Sequence, residues 1–173
     1  MIINEQERDY IIHDENNVKG FFAEYRFLSN FHQCTVYFEG MCFNSSEAAY
    51  MAAKTDNTDI RKQISLMSPK EAKFFSRTMD IKEGWSDMKF DVMSVILFDK
   101  FYRNDDLRKL LLATGDKYLE ESNHWKDVFW GCCEGKGKNN LGKILIGIRE
   151  FWKIKEPKIK ETKNLEDIQT KLF

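Results

Sequence analysis

Glu47 follows two serines and precedes Ala48, Ala49, Ala52 and Ala53. A carboxylate opening a helix of small residues can accept backbone N–H bonds and sit against an approaching ligand, or simply complement the helix dipole. Lys54 lies seven residues on, about two helical turns, so both groups can project from one face. A lysine in a partly dry pocket binds an anion or, with its pKa lowered, acts as a nucleophile; at a helix end it stabilises the C-terminal dipole. Trp85, with Lys89 one turn later, could offer a flat surface to a nucleobase or serve as core. The densest local signal is Asp127-Val128-Phe129-Trp130-Gly131, followed by Gly135–Lys143 with Lys136, Lys138 and Lys143. Closely spaced glycines leading into a helix suggest open backbone N–H groups and a cradle for a phosphate or diphosphate. The spacing is that of neither a P-loop nor a Rossmann turn. His13, His32 and His124 are scattered, and no Ser-His-Asp or Cys-His set can be assembled.

Short elements must position these groups. Cys34–Phe43 alternates apolar and polar residues around Glu39-Gly40, the pattern of a β-hairpin across which Cys34 and Cys42 could face each other. Ser45 or Ser46 caps a helix that begins near Glu47, and Ser68-Pro69-Lys70-Glu71 is a capping box with proline at the first helical position. A long helix is expected over about 86–102, with Met88, Val92, Val95, Ile96 and Phe101 on its apolar stripe. Asn104 or Asp105 starts another helix, which Gly115 ends. Tyr118–Glu120 reads as a short strand, and Asn140 to about Trp152 as a helix with Leu141, Ile144, Leu145 and Ile148 on one side. The class is α+β, helix-dominated, with a small antiparallel β component. Residues 1–19 read as an acidic lead-in, 20–152 as one compact domain, and 153–173, Lys-rich and interrupted by Pro157, as a mobile tail or surface helix.

Composition bounds the partners. The 173 residues are 42% hydrophobic and 32% charged, enough for a core and for solubility. A net charge of −1 gives no global field of the kind a nucleic-acid coat protein needs. No apolar run approaches the roughly 20 residues of a spanning helix, and the acidic N-terminus lacks the order of a signal peptide, so a cytoplasmic protein without a membrane partner is expected. Cys34, Cys42, Cys132 and Cys133 lack metal-ligand spacing, so no metal is expected, and no pattern asks for a redox cofactor.

Five ordered blocks carry a resemblance: EYRFLSNF (24–31), FNSSEAAYMAAK (43–54), EGWSDMKFDVM (83–93), KFYRNDDLRKLLLATGD (100–116) and WKDVFWGCCEGKGKNNLGKILIGIRE (125–150). Together they resemble the NADAR, or YbiA-like, family over about residues 20–152. The resemblance implies hydrolysis of a bond between ribose C1′ and an exocyclic amine. The substrate would be ADP-ribosylated guanine in DNA or RNA, or a ribosylamino-pyrimidine of the riboflavin pathway. A non-catalytic ADP-ribose reader would use the same tryptophans and the Gly/Lys loop and leave Glu47 idle. The family's motif positions fall on Glu47 and Lys54, on Trp85 and Lys89, on Asp127, Trp130 and Gly131, on Lys138, Asn139 and Gly142, and on Ser29, Asn30 and Phe31. The resemblance makes Glu47 the principal acid/base, Asp127 a second carboxylate or orienting group, and Lys54 a nucleophile or a positioning group. The others would wall in or hold the substrate. Cys132-Cys133 departs from the Gly or Asp expected after Trp130-Gly131, which bears on the width of that loop.

Overall fold

The computed structural model describes the backbone of residues 11–171 and the side chains of residues 11–156. At its centre is a hairpin, β3 (Gln33–Phe38) and β4 (Met41–Ser45). It turns through Glu39 and Gly40, both with positive φ (45° and 78°), the pair of left-handed residues that matches the twist of two antiparallel strands. Register pairs Tyr37 with Cys42 and Phe38 with Met41, so Cys42 does not face Cys34 as expected, and all four cysteines are free thiols.

Strand β4 runs straight into α1 (Ser46–Ala52), capped by Ser45, whose hydroxyl accepts the Ala48 N–H at 3.1 Å. Every residue of α1 is buried. Alanine at 48, 49 and 52 lets neighbouring backbones approach, and α2 (Thr58–Ser65), α3 (Pro69–Phe75) and the hairpin pack around this short helix. The capping box of α3 is present in full: the Ser68 hydroxyl accepts the Glu71 N–H, and the Glu71 carboxylate accepts the Ser68 N–H.

The long helix is α4 (Trp85–Arg103). Of its expected stripe, Ile96 and Phe101 are fully buried, whereas Met88 and Val95 are 37% and 57% exposed, and Met93 and Leu97 take the core positions. The segment is apolar on more than one side, so contacts with the hairpin, α1 and α6, rather than periodicity, select the buried face. Lys100 is wholly buried; its Nζ donates to the Ser29 carbonyl at 2.9 Å, and burial draws its pKa down to about 8.

Helix α5 (Asp105–Ala113) is followed by Gly115 (φ 60°) and is tied to α6 (Asn140–Lys171) by the Arg108–Glu156 ion pair at 2.8 Å. Leu141, Ile144, Leu145 and Ile148 are buried as their spacing predicts. Rather than ending near Trp152, the helix continues through Pro157 to Lys171. The remaining strands form two small sheets. In one, β1 (Ile12–His13) pairs antiparallel with β2 (Asn17–Lys19), and β2 pairs parallel with β5 (Tyr118–Glu120). In the other, β6 (Ser122–Asn123) pairs parallel with β7 (Cys132–Cys133), which pairs antiparallel with β8 (Lys136–Gly137). The expected lead-in thus contributes two strands, with Val18 in the core, while its residues 1–10 lie outside those described. The architecture is α+β and helix-dominated, with parallel pairings beside the antiparallel ones.

Candidate active site

The N-terminus of α1 projects Glu47 into a cavity of about 670 Å³. The Glu47 N–H donates to the Asn30 carbonyl at 3.0 Å, and Lys100 holds the preceding residue's carbonyl, so Ser29, Asn30 and Phe31 form a fixed lip of this cavity. Glu47 is 5% exposed, with Lys73 Nζ from α3 at 3.7 Å. Burial raises its pKa above the ordinary carboxylate value; Lys73 and Lys54 oppose the shift, and the Asp127 charge adds to it. Lys54 lines the same cavity, but from the turn after α1 rather than from a further turn of that helix. Burial lowers its pKa, against the pull of Glu47.

Tyr50 and Trp130 provide aromatic walls. The Tyr50 ring lies 5.6 Å from Trp130, edge-on, and 5.2 Å from Trp85. Burial raises the Tyr50 pKa, with a hydrogen bond from Trp130 opposing, so its hydroxyl is neutral across the physiological range. Trp85 stands behind Tyr50 and is not on the cavity wall. Lys89 and Lys138 are not on it either; their Nζ atoms lie 3.8 and 5.5 Å from the centroid of the Phe129 ring.

The segment after Asp127 departs from expectation. Asp127 lines the cavity, and its Oδ1 accepts the N–H groups of Phe129 and Trp130 at 3.0 and 2.9 Å, so it shapes its own loop. Gly135 belongs to the β7–β8 turn, not to an open cradle (φ 73°, after Glu134 at 51°). The N–H groups of Lys138, Asn140 and Leu141 donate to the carbonyls of Val128, Phe129 and Trp130. The N–H groups from Lys138 to Leu141, which the cradle reading left open, are therefore paired within the protein.

Gly131, Asn139 and Gly142 act on the chain behind the cavity. A Cβ at Gly131 would meet the Glu121 carbonyl at 2.0 Å, and one at Gly142 the Leu119 carbonyl at 2.1 Å. Asn139, in the left-handed region at φ 49°, donates to the Leu119 carbonyl and the Tyr118 hydroxyl and accepts the Glu121 N–H. These contacts lock the β5–β6 stretch in place.

Tertiary structure adds residues that the spacing did not single out. Arg26, Lys73 and Arg77 line the cavity beside Phe31, whose ring centroid lies 5.0 Å from Lys73 Nζ and 5.9 Å from the Arg26 guanidinium. Tyr50, three residues after Glu47 on one helix, was accessible from periodicity. Glu121, which no motif marks, brings a third carboxyl beside Glu47 and Asp127. Burial, with Asp127 and Glu47, pushes its pKa up to about 8 against Arg26 and Lys73. None of the three histidines is among the lining residues. A buried carboxyl, with two half-buried ones beside it, facing cations between aromatic walls can deliver and accept protons at a polar bond while the cations bind an anionic substituent.

A family model described as the NADAR domain matches residues 13–153. N-glycosidase YbiA of Escherichia coli is 34% identical over 131 residues, covering 73% of this chain and 81% of that protein. N-glycosidase Npun_R5314 of Nostoc punctiforme is 33% identical over 133 residues, covering 73% and 85%. Riboflavin biosynthesis protein VVA0006 of Vibrio vulnificus is 38% identical over 129 residues, 72% of this chain, which spans only 35% of that protein's length. The NMR structure of E. coli YbiA superposes with a TM-score of 0.72 at 30% identity, covering 90% of this chain and 95% of that one. Among the described residues no helix is long and apolar enough to cross a membrane.

Proposed function

The chain belongs to the NADAR domain family, and on that premise we propose that it is an N-glycosidase hydrolysing the ribosyl C1′–N bond of ADP-ribosylated guanine. The observation that carries the reading is Glu47, buried in an aromatic-walled cavity within reach of Lys73 and flanked by Lys54. Cleavage of such a bond builds positive charge at C1′ and negative charge on the departing amine. Burial biases Glu47 towards the protonated acid, the form that gives a proton to the amine. Once ionised it faces Lys73, and it can then take the proton of the water that adds to C1′. Asp127, committed through one oxygen to the Phe129 and Trp130 N–H groups, orients the Trp130 wall and adds negative charge near C1′. Burial favours the neutral amine of Lys54; in the route that replaces direct water addition, this amine adds to C1′ of the ring-opened sugar, the base amine leaves with a proton from Glu47, and water hydrolyses the resulting Schiff base to free the sugar and Lys54. In its charged form Lys54 would hold a hydroxyl or phosphate oxygen. Arg26, Lys73 and Arg77 supply positive charge for the diphosphate. The guanine-linked substrate comes from the family resemblance.

A second substrate, the ribosylamino-pyrimidines of the riboflavin pathway, is favoured by the name of the Vibrio relative. Both contain the same type of bond. The test is a product assay run in parallel on a guanine-ADP-ribosylated oligonucleotide and on the ribosylamino-pyrimidine. Release of ADP-ribose from the oligonucleotide is expected. Release of sugar from the pyrimidine alone would replace the substrate, and tight binding of ADP-ribose with no turnover of either would make the protein a reader.

A further inference from the structure

Glu121 is the carboxyl in this cavity that the reaction leaves unused. It joins β5 to β6, and its backbone is fixed on both sides: the N–H donates to Asn139 Oδ1 at 3.1 Å, and the carbonyl accepts the Cys132 N–H at 2.9 Å. Yet the side-chain atom Oε2 is buried with no hydrogen-bond partner among the described residues. Glu47 differs, since it has Lys73 at 3.7 Å. Asn30 also lines the cavity, and its Oδ1 is likewise buried without a partner, while its Nδ2 is turned to Met93 Sδ at 3.5 Å. Unpaired polar atoms are costly to bury, so two of them on residues of one cavity mark hydrogen-bonding capacity that the protein itself leaves unmet.

We propose that Glu121 reads the leaving base as a neutral carboxylic acid, its O–H donating to a ring nitrogen and its carbonyl oxygen accepting the adjacent exocyclic N–H. The inference rests on the glycosidase reading and adds the residue that recognises the leaving base, through the edge where a ring nitrogen lone pair lies beside the amine that carries ribose. ADP-ribosylated guanine and ribosylamino-pyrimidines both present that edge. A carboxylic acid matches it, donor to acceptor and acceptor to donor; a carboxylate has no proton to donate. The charged groups facing Glu121 are Asp127, Glu47, Arg26, Lys73 and Lys100. Burial and the two carboxyls outweigh the cations and keep it protonated up to about pH 8.

The test needs no bond cleavage. Calorimetry on the full chain compares 2-aminopyrimidin-4-one with pyrimidin-4-one, which lacks the amine. The parent is expected to bind the amino base about 10- to 100-fold tighter, the scale of one or two hydrogen bonds to a neutral group. Glu121→Ala should bring the two bases to equal affinity. Glu121→Gln, nearly isosteric and carrying the same donor and acceptor, should keep the preference and lose the parent's fall in affinity above about pH 8. Equal binding of both bases by the parent, a preference that survives in Glu121→Ala, or one abolished in a folded Glu121→Gln would each overturn the inference. Hydrolysis is measured separately. A preference that depends on Glu121 without turnover removes the glycosidase reading alone, and turnover without that dependence removes this inference alone.

Discussion

Glu47→Gln keeps the length and volume of the side chain and removes its proton and its charge. Loss of a group that gives and takes a proton at the reacting bond costs about 10²- to 10⁴-fold in rate, or about 2.7–5.5 kcal/mol at 1.36 kcal/mol per decade. The fold has little to lose by comparison. The Lys73 partner is about half exposed, at 47%, so the ion pair contributes at most about 1 kcal/mol. Burial of the charge works against that contribution. The folded-state pKa of Glu47 is raised, so over the interval above the ordinary carboxylate value the native protein holds a proton that the unfolded chain has released. Stability therefore declines as pH rises through that interval. Glutamine does not titrate, and the melting temperature of the variant should gain on the parent's as pH increases. The assay pairs single-turnover release of ADP-ribose, or of sugar from the pyrimidine, with thermal melts across pH. A variant within about threefold of the parent's rate, with a constant difference in melting temperature, would refute both the proton-transfer role and the electrostatic reasoning behind it.

Lys54→Arg preserves charge but not a nucleophilic amine; a rate loss of about 10²-fold or more, together with loss of a borohydride-trapped adduct, is expected if Lys54 attacks the sugar, whereas full activity would leave it a charge-bearing role. Glu121→Gln should flatten the parent's decline in stability between pH 4.5 and about 8, the window between the ordinary carboxylate value and the folded-state value, as followed by thermal melts. Asn139→Ala removes bonds to Leu119, Tyr118 and the Glu121 N–H and places alanine at φ 49°; chemical denaturation should report a loss of about 2–4 kcal/mol. Gly131→Ala forces a Cβ to 2.0 Å from a backbone carbonyl that cannot rotate away. It should cost about 1–3 kcal/mol or more and weaken the base preference assigned to Glu121, because the clash falls on that residue's own carbonyl.

Local interactions made much of the scaffold legible in the chain. The Glu39-Gly40 turn, the Ser45 cap and the Ser68–Glu71 box each draw on residues within a few positions of one another, as does the Leu141–Ile148 stripe, so pattern and outcome agree. Glu47, Lys54, Asp127 and Trp130 were also visible as residue types, and the fold brings them to one cavity. The buried face of α4 was not legible, because a helix apolar on several sides is oriented by its neighbours. Nor was the fate of the glycine-rich stretch: the N–H groups from Lys138 to Leu141 look open in one dimension and are closed by carbonyls from residues 128–131. Lys73 and Glu121 are ordinary charged residues outside the five ordered blocks, and Arg26, though it falls within EYRFLSNF, is not one of the motif positions. Their meaning depends on burial and on which charges face them, and both depend on distances across the fold. The linear order of residues therefore determined the elements and most of the reactive side chains, while only tertiary packing decided which of them share a desolvated space and how tightly each holds its proton.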